Sequence, residues 1–158
     1  MILVADASAL IALATCDGLD WLEKLFGQVL VPETVFTEVA ISDKPQSSRL
    51  RVYLEGKVRQ VDMNAYVYLD AYADAGETQA MVLYKAVNAD YLLIDDKRGR
   101  KVAQINQIKV VGSLGVLIQA KKAGLIDQVK PRLDLIAESQ IFIAPALVSA
   151  VLAMAGEQ

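Results

Sequence analysis

The chain has 158 residues, 54% of them hydrophobic, with a formal net charge of −3 and no histidine. That length suits one domain, in which folding buries roughly two-thirds of the unfolded surface. The apolar fraction exceeds the usual ~45–50% and leaves surface for a subunit contact. Lack of histidine excludes a His-based proton relay, a Ser-His-Asp triad and a His-ligated zinc site, and the negative balance argues against a non-specific nucleic-acid binder.

Cys16 is the only cysteine, so no intrachain disulfide can form and a reducing cytoplasm is the expected setting. No targeting segment is expected, because the apolar N-terminus lacks a basic leader and Asp6 interrupts it. The late apolar run from Ile141 to Ala155 carries Pro145 and falls short of the ~20 residues of a membrane span.

In chain order, the pattern predicts a strand over 1–6, then helices around 8–15 and 19–26, the second with Leu19, Leu22, Leu25 and Phe26 at helical spacing. A strand over 28–31 follows. Pro32 stands where a helix would begin, since proline is tolerated at the first helical position, and Glu33 to Ala40 is that helix. Ser42 to Ser48 reads as a polar loop leading to a helix near 47–55. Gly56 breaks the pattern, and Lys57 to Asp62 alternates like an edge strand. Residues 64–72 look helical, and Asp74-Ala75-Gly76-Glu77 opens a strong helix to about Ala86. Strand 91–95, helix 97–106, strand 109–111 and helix 113–123 complete the repeating body. The end, from about 127, reads as a helical extension: a helix, a brief extended piece at Ile141–Ile143, and a last helix from Ala146, apolar almost all round. No linker, repeat or low-complexity segment divides residues 1–158, so a single domain is expected.

Strand followed by helix, repeated, implies a parallel sheet whose strand ends share one edge. Three apolar runs end in polar residues there: Asp6, the pair Asp95-Asp96, and Gly112-Ser113. Asp6 follows a strand buried on both faces, although it could simply cap the next helix, a place Ser8 also suits. Glu38 lies near a helix C-terminus, where the macrodipole disfavours it, and shares a face with Val35 and Val39 that would point it inward. Glu77 reads first as the partner of Asp74 in a capping box, which explains it without chemistry, and only then as a functional acid. Asp95 and Asp96 are adjacent like charges at the end of a buried strand; one could cap the next helix, and both together suggest a nearby cation.

Unpaired buried charges cost several kcal/mol each, against a total stability of ~5–15 kcal/mol. A hard divalent ion would relieve clustered carboxylates and could activate water and polarise a phosphoryl oxygen. Lys97, Arg98, Arg100 and Lys101 follow the acidic pair and read as a solvated basic face or as contacts to a phosphate backbone. Ser8 and Ser113 read first as helix N-caps, and then, if the strand ends converge, as hydroxyls placed to hold a carboxylate or water. Tyrosines 66, 68, 72, 84 and 91 read as packing residues before base-stacking ones. Gly112-Ser113-Leu114-Gly115 is too short a signal for a nucleotide cradle.

Several stretches together resemble PIN-domain nucleases of the VapC-like type. They are Val4-Ala5-Asp6-Ala7-Ser8, Val31-Pro32-Glu33 running to Glu38-Val39, Gly76-Glu77-Thr78-Gln79-Ala80, Leu92 to Arg100, and Val110 to Leu117. The likeness spans about residues 1–123. It implies a three-layer α/β/α sandwich around a central, mostly parallel sheet, and Mg²⁺- or Mn²⁺-dependent cleavage of RNA. By motif, Asp6, Glu38 and Glu77 match three family acids and the fourth falls on Asp95 or Asp96. Ser8 and Ser113 match positions where a small hydroxyl is common. The resemblance further implies a toxin neutralised by a small antitoxin, and a homodimer. Two other readings compete: a non-catalytic interaction module with the same fold, and a receiver-like phosphoacceptor domain. The receiver reading fits poorly, since Asp6 stands alone at the first strand and Ser113 occupies the late strand end where a lysine is wanted.

Overall fold

The computed structural model describes residues 1–41, 43–63 and 75–158. The central sheet has the order β3-β2-β1-β4-β5, and every pairing is parallel. Its strands are β1 (Ile2–Ala5), β2 (Gln28–Pro32), β3 (Val58–Arg59), β4 (Tyr91–Leu93) and β5 (Val110–Val111). β1 lies in the middle, with Val4 opposite both Leu30 and Leu92. Leu3, Val4 and Ala5 are fully buried. A continuous apolar run is what a strand covered on both faces requires.

Leu3 and Ala5 enter one core, while Val4, between them, enters the other. The larger core gathers Leu10 and Leu13 of α1 (Ala7–Thr15), Trp21 and Leu22 of α2 (Asp20–Phe26), Val35 of α3 (Glu33–Ala40), Leu50 of α4 (Ser47–Tyr53) and Leu117 of α7 (Ser113–Lys122). The opposite core holds Met81 and Tyr84 of α5 (Ala75–Ala86) with Val102 and Ala103 of α6 (Lys97–Ile105). Helices thus cover both faces of a parallel sheet, the expected three-layer α/β/α sandwich.

Leu133 and Ile136 of α8 (Lys130–Ala137) and Val151 of α9 (Pro145–Met154) also join the larger core. Val151 is the only residue of α9 that is buried, so an apolar sequence on all sides here marks a helix with most of its surface outward. Glu157 fastens this end. Its carboxylate accepts from the backbone N–H groups of Val129 (2.7 Å) and Lys130 (3.0 Å) and from Lys121 Nζ (2.9 Å). Burial raises its pKa, but these donors outweigh it and hold the carboxyl below the ordinary value.

Several boundaries shift from the expected ones. The edge strand expected over 57–62 shortens to Val58–Arg59, and Ile141–Ile143 forms no strand among the described residues. The strand expected to 95 stops at Leu93, because side chains take over the hydrogen bonding beyond it (see below). Pro32 ends β2 and caps α3 by position rather than opening it. The N-caps of α1 and α7 are Asp6 and Gly112, both extended, so Ser8 and Ser113 fall inside their helices. Each helix starts directly after its strand, leaving the cap to the strand's last extended residue. Tyr84 is buried and Tyr91 packs edge-on against Phe26 with ring centroids 5.5 Å apart, as expected of packing residues. The helix expected over 64–72, with Tyr66, Tyr68 and Tyr72, and the cap residue Asp74 lie outside the described residues, as does Ser42. No helix among the described residues is long and apolar enough to cross a membrane.

Candidate active site

Asp6 leaves the central strand at the carboxyl edge, its backbone N–H donating to Leu93 O at 2.8 Å. Although it occupies the N-cap of α1, its side chain makes no capping hydrogen bond, and the residue is only 3% exposed. The simple capping role therefore does not account for this acid. A carboxylate held so far from solvent at a strand end is costly without polar surroundings.

The acidic pair divides. Asp96 is exposed and caps α6, its Oδ2 accepting from Gly99 N at 2.9 Å. Asp95 is half-buried and turns the other way, its Oδ1 accepting from the backbone N–H of Ser113 and its Oδ2 from Ser113 Oγ, both at 2.7 Å. Ser113 is buried. Each carboxylate of the pair thus has protein donors of its own.

Glu77 is buried on the first turn of α5, 5% exposed. Its carboxylate lies against the backbone of Gly99, where a Cβ would overlap Oε2 and come within 2.6 Å of Ile94 Cδ1. Glu77 and Asp96 therefore converge on the same residue of α6. On the other flank, Thr34 Oγ1 donates to Gln79 Oε1 and ties the start of α3 to the start of α5. Neither Gly99 nor the Thr34–Gln79 pair stood out as functional in the sequence. The only trace was a glycine inside a predicted helix, where its presence asks for a close-packing reason.

Glu38 is not directed into the core. It is exposed on α3, while Val35 and Val39 are buried. At about 100° per residue it sits on the flank between the apolar stripe and solvent, not on the stripe. Ser8 is exposed on the first turn of α1. Lys97, Arg98 and Lys101 project from α6 into solvent and form no ion pair among the described residues. Arg100, expected beside them, is instead half-buried and donates from Nη1 to Ile94 O at 3.2 Å.

Among the described residues no three acidic or cysteine side chains stand close enough to form a metal cage. The donor chemistry still fits a hard divalent ion: Asp6 and the pair Asp95-Asp96 follow the neighbouring parallel strands β1 and β4, and Glu77 lies against Gly99 just beyond that pair. A Mg²⁺-type ion is usually held by one or two carboxylates with water and substrate phosphate completing its shell, so a full protein cage is not required.

A parallel α/β/α sandwich with a buried aspartate directly after its central strand defines the class of protein: an α/β domain whose sites are expected at the carboxyl edge of the sheet. The chain belongs to the PIN-domain family, whose model matches residues 2–157. PIN domains are a nuclease-type fold, hydrolases of nucleic acids that typically work with divalent metal ions. This membership replaces the receiver-like alternative. Among curated proteins no match is found.

Proposed function

We propose that this PIN domain is a Mg²⁺- or Mn²⁺-dependent ribonuclease of the VapC-like type, the toxin of a toxin–antitoxin pair acting in the cytoplasm. The observation that carries the reading is the burial of Asp6 and Glu77 at the sheet edge from which the basic α6 departs. In this reading Asp6, Glu77 and the pair Asp95-Asp96 hold the ion, with Ser113 keeping Asp95 in place and Glu38 as an outer carboxylate. A bound divalent ion would supply an activated water and polarise a phosphoryl oxygen.

The chain's own residues do the rest. Lys97, Arg98 and Lys101 neutralise backbone phosphates and align the strand without reading its bases. The Ser8 hydroxyl, exposed beside Asp6, orients water at the rim. Packing of α5 against β1, β2 and β4 keeps Glu77 close to the strand ends. The outward apolar surface of α9, with Leu147 and Met154 exposed, supports an interface with a second copy or with a small antitoxin.

The test is cleavage of a labelled RNA by the purified chain with Mg²⁺ or Mn²⁺, and its arrest by chelator. Asp6→Asn should abolish cutting while leaving the fold intact. Millimolar Mn²⁺ should also raise the melting temperature of the wild type by mass action. Full activity in Asp6→Asn, or cutting that persists in chelator, overturns the assignment. Light scattering of the full chain, alone and with the product of a neighbouring small reading frame, tests the homodimer and the antitoxin.

A further inference from the structure

The ladder between β4 and β5 ends in an unusual exchange of partners. Leu92 N donates to Lys109 O at 2.8 Å and Ile94 N to Val111 O at 2.9 Å. In a parallel ladder the next bond runs from the N–H of Ser113 to the carbonyl of Ile94. That bond is not made. Ser113 N donates to Asp95 Oδ1 at 2.7 Å, and the Ile94 carbonyl accepts from Arg100 Nη1 at 3.2 Å. Two side chains therefore stand in for one backbone bond, one taking its donor and the other its acceptor.

Gly112 lies in the gap this exchange opens. A Cβ there would come within 2.7 Å of Arg100 Nη1 and 3.1 Å of Asp95 Oδ1, so any larger residue would displace one or both. The guanidinium and the carboxylate thus flank one glycine at the mouth of the acidic edge. Neither buried backbone group goes without a partner, which a ladder cut short would otherwise impose.

We propose that Arg100 is a positioning residue for Asp95, occupying the Ile94 carbonyl so that the Ser113 N–H stays on the carboxylate, and is not one of the RNA-backbone contacts. Without Arg100 the Ile94 carbonyl is left for Ser113 N–H, the ladder closes by one bond, and Asp95 keeps only the Ser113 hydroxyl. The consequence for cleavage rests on the nuclease reading above; the exchange of hydrogen bonds does not.

The experiment compares wild type, Arg100→Met and Arg100→Lys. In metal-free protein without RNA, the Ser113 backbone amide resonance should move in Arg100→Met as its acceptor changes from carboxylate to carbonyl. It should stay near its wild-type position in Arg100→Lys, which retains a donor for Ile94 O and guards against a trivial loss of folding. In Mg²⁺-dependent cleavage, Arg100→Met should lower kcat roughly 10–100-fold, as loss of a group orienting a site carboxylate does. KM and the dependence of RNA binding on salt should be unchanged. A Ser113 resonance that does not move in Arg100→Met overturns the proposal. So does a rise in KM with unchanged kcat and a salt slope smaller by about one, the signature of a lost phosphate contact. The amide comparison needs neither metal nor RNA, so it decides the placement of Arg100 even if the wild-type chain cuts nothing.

Discussion

Removing the Ser113 hydroxyl isolates one side of the Asp95 clamp. Ser113 is 3% exposed, and its Oγ donates to Asp95 Oδ2 at 2.7 Å while its N–H serves Oδ1. In Ser113→Ala the backbone bond remains and one carboxylate oxygen loses its donor. Hydrogen bonds to charged groups are worth ~1.5–3 kcal/mol, and half-buried Asp95 can regain some water, so a loss of about 1.5–2 kcal/mol is expected. For a chain of this size each kcal/mol shifts the melting temperature by ~2–4 °C, giving a drop of roughly 3–8 °C. Urea unfolding should show a lower midpoint at unchanged slope, and Ser113→Thr should recover most of the loss. A change below ~0.5 kcal/mol, the scale of an indifferent surface substitution, would refute the idea that this hydroxyl holds Asp95.

Three further outcomes follow from individual side chains. Asp96→Ala should destabilise by ~0.5–2 kcal/mol in urea melts through loss of the α6 cap, with Asp96→Asn close to wild type. Glu157, whose pKa folding lowers, adds stability that is present above its ordinary value of 4.5 and is lost as pH falls through its lower folded value. Glu157→Gln should therefore flatten the acid side of the stability profile, read by melts from pH 7 to 3, and an unchanged acid limb would count against the clamp. Burial pushes the Cys16 thiol up to about 12, so iodoacetamide should leave the native chain unmodified at pH 8 and label it promptly in urea.

The burial of Asp6 was legible in the sequence for a simple reason. Asp6 ends an apolar run that admits no exposed face, so its carboxylate had nowhere to go but the strand end. The capping role of one member of the 95–96 pair was also readable, since a helix began immediately afterwards. The sequence misplaced Glu38 because a helical stripe has flanks, and a residue beside Val39 on paper can stand off the stripe in space. The cap reading of Ser8 and Ser113 fails because the strands feed their helices without a loop, so the cap falls on the residue directly after the strand; the other reading of Ser113, a hydroxyl that holds a carboxylate, is met by its bond to Asp95. The early end of β4 and the inward turn of Arg100 could not be read. Both depend on which side chain captures the Ile94 carbonyl, a contest between residues on different elements. The apolar character of α9 was plain, but composition does not say which neighbours cover a helix, and most of its surface faces outward.

The central position of β1 also sets an order of events during synthesis. Ile2 bonds to Asp90, 88 positions further on, so the strand made first waits for a neighbour made late. At ~5–20 residues per second that wait lasts about 4–18 s. During it β1 can pair with β2 while its other side stays open, a bare strand edge of the sort that recruits foreign chains. Ser113 is made later still, so until it is added Asp95 lacks both of the donors that hold it.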